Sequence, residues 1–253
     1  MEISVYRILS GLLLLAIPLF IMYAYHVKGI ARTLRSVCRM VIVLGLTGLF
    51  LKYIMAWNQA VVNILWVFLM AACTSASTIS QARLKQKPYW IPVMSGMLSS
   101  LLLVGGIFLL FVLGMKNPFE SRFFIPVMGL LLGGMMDTDV QALSVYYMGL
   151  RHHGHLFEYM RGNGATRAEA LSYLLRRALE RTTVPHVAQM SMQVLACSPV
   201  MMWGMLLAGM EVAEAVFFHL LVLVAIFAAS MLSVVVAISV ARQYALDEYE
   251  QIR

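Results

Sequence analysis

Asp137 and Asp139 stand two residues apart inside a long apolar run, directly after the pair Gly133 and Gly134. A carboxylate in such a run costs about 2.5 to 3.5 kcal/mol to insert into a bilayer and is rare there without a role. Glycines at that point allow close helix approach or local unwinding. A second apolar run carries Cys197, Pro199, Met201, Met202 and Trp203. Pro199 lacks an N–H and leaves a carbonyl free one turn earlier, near Leu195. Carboxylates suit hard ions, and thioethers and thiols suit soft ones. Gly133, Gly134, Met135, Met136, Asp137, Asp139, Cys197, Pro199, Met201, Met202 and Trp203 therefore form a candidate solute path, with Asp137 the candidate metal ligand. The alternative is packing. The chain has 20 methionines, which serve mostly as flexible apolar filler, and a span ending near Val140 would leave both aspartates at a wet end.

Two smaller groups have the right chemistry and plainer explanations. His152, His153 and His155 cluster after the first run, and neutral imidazole is a common metal ligand, but a solvated loop accounts for them. Glu211 and Glu214 follow the second run and fit an exposed acidic turn as well as a cation exit.

The elements that must hold these groups are membrane helices. Of the 253 residues, 61% are hydrophobic and 12% charged, with a mean hydropathy of +0.82. A soluble domain is about half apolar and a quarter charged. No strand-like alternation marks a β-barrel. The expected fold is all-α and integral to the membrane, one permease domain over 1–253. It has about seven spans, near 8–27, 37–56, 60–79, 90–115, 123–150, 186–210 and 215–241. The first apolar run is longer than a signal-peptide core and reads as a retained span.

Fifteen of the nineteen Lys and Arg fall in the loops after spans one, three and five and in the tail, against Arg7, Lys52, Lys116 and Arg122 on the other side. The positive-inside rule then places the N-terminus outside and the C-terminus inside. The net charge of +7 is accounted for in the same way and calls for no nucleic acid. Cys38, Cys73 and Cys197 are scattered, with no disulfide or zinc spacing.

The loop at about 151–185 is too long for a connector and too patterned for disorder. Thr166 with Glu169 reads as a capping box. Ala168, Leu171, Leu174, Leu175, Ala178 and Leu179 then recur at helical spacing, with Arg167, Arg176, Arg177, Glu180 and Arg181 on the other face. Upstream, Leu156, Phe157 and Met160 make a shorter stripe, and Gly162, Asn163 and Gly164 separate the two. Pro185 is expected to end the second helix. Such a helix either lies on an anionic leaflet or docks a cytoplasmic partner.

Glu158, the turn "GAT" at 164–166 and the distal Pro185 make this segment resemble the coupling loop of ABC transporter permeases. Along its whole length the chain resembles the FetB-type iron-export permeases, relatives of the plant aluminium-tolerance permease. The resemblance lies in "LKYIMA" at 51–56, "IPVMGLLLGGMM" at 125–136, "GATRAEA" at 164–170 and "SPVMMWGMLLAG" at 198–209. Val200 stands where that family has glycine, Trp203 where it has a small hydroxyl residue, and Asp137 ends a variant of its "GN" motif.

The resemblance implies a multi-pass permease of the cell inner membrane, a homodimer that exports iron or another metal ion. A separate cytoplasmic ABC ATPase would dock through Glu158, Gly162, Gly164, Ala165, Thr166, Glu169 and Pro185. No P-loop, HExxH or GxSxG occurs in the chain, so it is not expected to be an enzyme or to bind a cofactor itself. ATP and Mg would belong to the partner subunit. The alternatives are an ABC permease for an organic substrate such as a nucleotide sugar, a stand-alone channel or secondary transporter, and a membrane scaffold.

Overall fold

The structure is a computed structural model that describes residues 11, 13–84, 86–152, 159–193 and 200–245. Glu158, His153, His155, Cys197 and Pro199 lie outside the described residues. Among those residues all regular structure is helical. The chain divides into two compact units, Met1–Trp57 and Asn58–Arg253.

The first unit holds α1 (Ala16–Ala24) and α2 (Ile30–Trp57). The Val27 N–H donates to the Met22 carbonyl at 2.9 Å across His26, which takes φ 54°. This closes α1 and turns the chain. Thr33 Oγ1 then reaches Met22 Sδ at 3.8 Å. Leu13, Phe20, Leu44 and Phe50 are all more than half exposed, as expected of side chains meeting lipid rather than a protein core.

The second unit contains α3 (Ala60–Gln81), α4 (Gln86–Ser100, continued to Val112), α5 (Ser121–His152), α6 (Arg167–Ser191), α7 (Val200–Leu207) and α8 (Val212–Ala245). Its centre is α5 and α8. α8 packs on α4 and α5, α3 on α5 and α4, and α6 on α5. Two stripes of small residues make this close packing possible. On α3, Asn63, Val67, Ala71 and Ser75 recur every four residues and are buried; on α8, Ala225, Ala229, Ser233, Ala237 and Ala241 do the same. Residues four apart share a helix face. In lipid, where burial of apolar surface drives little association, small side chains let backbones approach. The larger core residues Val93, Met97, Leu131, Leu132, Leu143 and Ile238 fill the space around them.

Two asparagines fasten the turn ahead of α5. Asn58 Oδ1 accepts from the Ser121 N–H at 2.9 Å, and Asn63 Nδ2 donates to the Phe119 carbonyl at 2.8 Å. The second half of α4 widens into π-helix at Leu101–Gly105 and Phe108–Val112, closed by Leu113 N–H on the Phe108 carbonyl at 2.9 Å.

Five described helices are long and apolar enough to cross a membrane: Ile30–Trp57, Ala60–Gln81, Tyr89–Val112, Ser121–Leu150 and Val212–Arg242. Of the expected span at 8–27, the described residues include the nine of α1. Of the expected span at 186–210, the described residues form the end of α6 and the eight residues of α7, and residues 194–199 lie outside them. Glu214 lies in the first turn of α8, where the positive end of the helix dipole favours a carboxylate.

One expectation is corrected. Pro185 does not end the second helix; α6 runs through it to Ser191. The missing N–H frees the Arg181 carbonyl, but Arg181 and Pro185 are both exposed, so that carbonyl is not sealed in a dry core. Packing of α6 on α5 outweighs the local preference. Pro92 and Pro126 also sit inside helices, α4 and α5.

Candidate functional site

α5 is helical on both sides of Asp137 and Asp139 and continues through 141–150, so both aspartates occupy its middle. Two residues on a helix are separated by about 200° of rotation. The two carboxylates accordingly face different surroundings. Asp137 is exposed. Asp139 is buried against α8, and its Oδ2 accepts a hydrogen bond from Ser233 Oγ at 2.7 Å. Asp139 Oδ1 has no hydrogen-bond partner among the described residues. The two do not form a paired ligand.

Gly133 and Gly134 divide similarly. Space is open around Gly133, while a Cβ on Gly134 would overlap the Ile226 side chain of α8. Close approach, not unwinding, is what this glycine provides.

On the Asp137 side, α5, α6 and α8 enclose a cavity of about 320 Å³. α5 contributes Gly134, Asp137, Thr138 and Gln141; α6 contributes Thr182, Pro185, His186 and Gln189, with Gln193 two residues past its end; α8 contributes Leu223 and Ile226. Thr138 Oγ1 lies 3.3 Å from His186 Nδ1, and His219 Nε2 lies 3.0 Å from Gln193 Oε1. The His186 ring also stacks at 5.3 Å on Phe227. A carboxylate, an imidazole and several amides thus line one chamber between α5, α6 and α8, a set able to bind a cation or a polar solute by hydrogen bonds.

Among the described residues of the sequence-derived path, only Gly134 and Asp137 line this chamber, with Pro185 from the coupling segment. Met135 is fully buried in the core, and Met136 Sδ lies 3.8 Å from Gln81 Nε2. Met201, Met202 and Trp203 belong to α7, which packs against α8. No three His, Cys, Asp or Glu come together around a common point among the described residues. The sequence reasoning passed over His186, Gln189 and Gln193. Their signal was the spacing i, i+3, i+7, which puts three polar groups on one face of a segment otherwise treated as a plain span.

The segment leading into the chamber has the local structure its residues imply. A helical turn at 159–162 closes at Gly164 with φ +88°. Gly164 N–H donates to Arg161 and Ala165 N–H to Met160, each at 3.0 Å. This is the Schellman arrangement, which requires a left-handed residue where Gly164 stands. Arg161 Nη1 also holds the Ala165 carbonyl at 2.9 Å.

α6 then starts with a complete capping box. Glu169 N–H donates to Thr166 Oγ1 at 3.3 Å, and the Thr166 N–H donates to Glu169 Oε2 at 2.8 Å. These contacts hold the Glu169 carboxyl below its ordinary value. The apolar stripe of α6, Ala170, Leu171, Leu174 and Ala178, is buried within the second unit. A Cβ on Gly149 would lie 2.9 Å from Leu174 Cδ2, while Thr138 meets His186 further along, so α5 and α6 run antiparallel. The stripe is used inside the protein and is not left to lie on a leaflet.

A family model described as an uncharacterised protein family, UPF0014, matches residues 5–245. The chain is 25% identical to the UPF0014 membrane protein slr1647 of Synechocystis sp. over 217 residues, which is 85% of this chain and 83% of that protein. It is 22% identical to the UPF0014 membrane protein YjkA of Bacillus subtilis over 207 residues, 82% and 80% of the two. No solved structure matches it significantly.

Proposed function

Since this chain belongs to the UPF0014 family, we propose that it is the membrane-spanning permease subunit of an ATP-driven transporter of the ABC type, and that the Asp137 chamber is part of its solute path. One observation carries this reading. A single helix, α6, joins the segment that resembles a permease coupling loop to the chamber wall. From Arg167 to Ser191 it spans about 36 Å at 1.5 Å per residue. Its start is fixed by the Gly164 turn and the Thr166 cap, and its far half presents His186 and Gln189 to the solute. A push on the first end displaces the second as a rigid element. A separate cytoplasmic ATPase holding ATP and Mg would supply that push. Two copies of the chain in a cell inner membrane, N-termini outside, complete the assembly.

For the cargo, iron or another metal ion is the first choice, because Asp137 and His186 offer a carboxylate oxygen and an imidazole nitrogen, donors suited to hard and intermediate cations. A chamber of about 320 Å³ bordered by Gln141, Gln189 and Gln193 favours a second reading, a polar organic solute held by amides.

The test is ATPase turnover of the reconstituted complex, measured with Fe²⁺, other divalent ions and organic candidates. Stimulation by a metal that is lost in Asp137→Asn supports the first reading, and stimulation only by an organic solute supports the second. Co-purification of the ATPase that survives a proline at Thr166, or solute flux by this chain alone, would reject the ABC assignment.

A further inference from the structure

Between Glu2 and Glu120 the chain contains no acidic residue. The start of α2 lies in that stretch and carries Arg32, Arg35 and Arg39, with Lys28 in the turn ahead of it. Positions i, i+3 and i+7 fall within about 60° of one another on a helix, so the three arginines form one stripe. Ile30, Leu34, Val37 and Val41 repeat a similar spacing on the opposite side. Thr33, which reaches Met22 of α1, is rotated about 100° or more from each arginine, so the stripe points away from α1. All three arginines are exposed, and none of their guanidinium groups has a hydrogen bond or ion pair among the described residues. The positive-inside rule depends on how many bases a loop holds and does not account for their alignment on one face.

Depth identifies what the stripe meets. α2 has 28 residues and is about 42 Å long at 1.5 Å per residue. The hydrocarbon layer is about 30 Å thick and takes about 20 of them. Trp57, at the far end of α2, is of the type that settles at a membrane interface. Counted back from it, the hydrocarbon ends near Cys38, and Lys52 is the one charged residue within 40–57. Arg39 then stands at the boundary, with Arg35 and Arg32 about 5 and 9 Å outside it. The headgroup layer is roughly 5 to 8 Å thick, so the stripe follows it from its inner edge to its outer surface. Ile54 is the one residue of α2 that is buried, so the depth of this helix rests on contacts outside the chain.

We propose that the stripe binds an anionic phospholipid, with Arg35 and Arg39 on its phosphate and Arg32 and Lys28 balancing the rest of its charge. A soluble anion, whether free phosphate or an acidic protein, would meet Arg32 but not Arg39 at the hydrocarbon edge. A zwitterionic headgroup would set an ammonium beside three arginines that have no acid near them in the sequence. The bound lipid fixes the depth of α2 in the bilayer. The inference depends on neither the solute chamber nor an ATPase.

The full-length chain, purified in detergent, is titrated with phosphatidylglycerol, phosphatidylcholine or glycerol 3-phosphate, and the bound fraction is read by native mass spectrometry. Phosphatidylglycerol is expected to bind saturably and about tenfold or more tighter than either of the others. R32Q/R35Q/R39Q is expected to remove that preference, and K52Q/K116Q/R122Q, with the same loss of charge, to keep it. If the first triple variant cannot be purified, L34R/R35L keeps the charge and moves one arginine off the stripe. It is expected to bind phosphatidylglycerol about fivefold more weakly, the effect of one base at an anionic surface. Equal affinity for phosphatidylcholine or glycerol 3-phosphate, an undiminished preference in R32Q/R35Q/R39Q or L34R/R35L, or an equal loss in K52Q/K116Q/R122Q overturns the proposal.

Discussion

Ser233 Oγ donates to Asp139 Oδ2 at 2.7 Å and so joins the middle of α5 to the middle of α8. Both residues are buried, and this is the one hydrogen bond that satisfies the aspartate among the described residues. A buried acceptor that loses its donor bears the full cost of having left water, about 1 to 3 kcal/mol. Ser233→Ala should therefore lower the thermal midpoint clearly. Replacing both partners removes the orphaned acceptor, so Asp139→Leu added to Ser233→Ala should cost much less than the sum of the single changes. Strictly additive midpoint shifts would mean that the pair is not coupled.

Gly134 and Gly133 are neighbours with opposite surroundings. Gly134→Ala forces a methyl into Ile226 and should destabilise by about 1 to 3 kcal/mol, as overpacking does. Gly133→Ala meets open space and should be neutral or slightly stabilising, since alanine favours a helix by up to about 1 kcal/mol over glycine. Thermal unfolding of the two purified variants distinguishes them, and equal effects would place the α5–α8 contact elsewhere.

The cap of α6 should be sensitive to acid. The Glu169 carboxyl is depressed by its bonds to Thr166, so its contribution is complete above the unfolded carboxylate value of about 4.3 and fades as pH falls through the lower folded value. Hydrogen-exchange protection of the Thr166 and Glu169 amides, taken relative to the intrinsic rate at each pH, should be higher at pH 7 than at a pH low enough to protonate Glu169. Thr166→Ala should give the reduced protection already at pH 7, at a cost typical of a lost cap, about 1 kcal/mol.

Asp137 is exposed in its chamber and makes no bond on which packing relies, so Asp137→Asn should leave the thermal midpoint within about 0.5 kcal/mol of the parent. If the chamber carries the solute, the same change should reduce substrate-stimulated turnover of the reconstituted complex tenfold or more. His186→Ala should reduce it as well, with some loss of stability from the Thr138 and Phe227 contacts. Unchanged turnover in both would move the solute path away from this chamber.

The sequence by itself determined the features that depend on near neighbours. Apolar composition and run length define an all-helical membrane protein, because a bilayer leaves the backbone no other partners than its own. The Thr166–Glu169 box and the Gly164 turn were legible for the same reason, since each closes within five residues. The tertiary structure alone decided what depends on contacts between helices. It separated Asp137, in a chamber, from Asp139, bonded to a serine 94 residues away. It carried α6 through Pro185, where packing on α5 overrides a residue that locally favours an end. It also brought His186, Gln189 and Gln193 opposite Asp137, because helical spacing says which residues share a face but not which helix that face will meet.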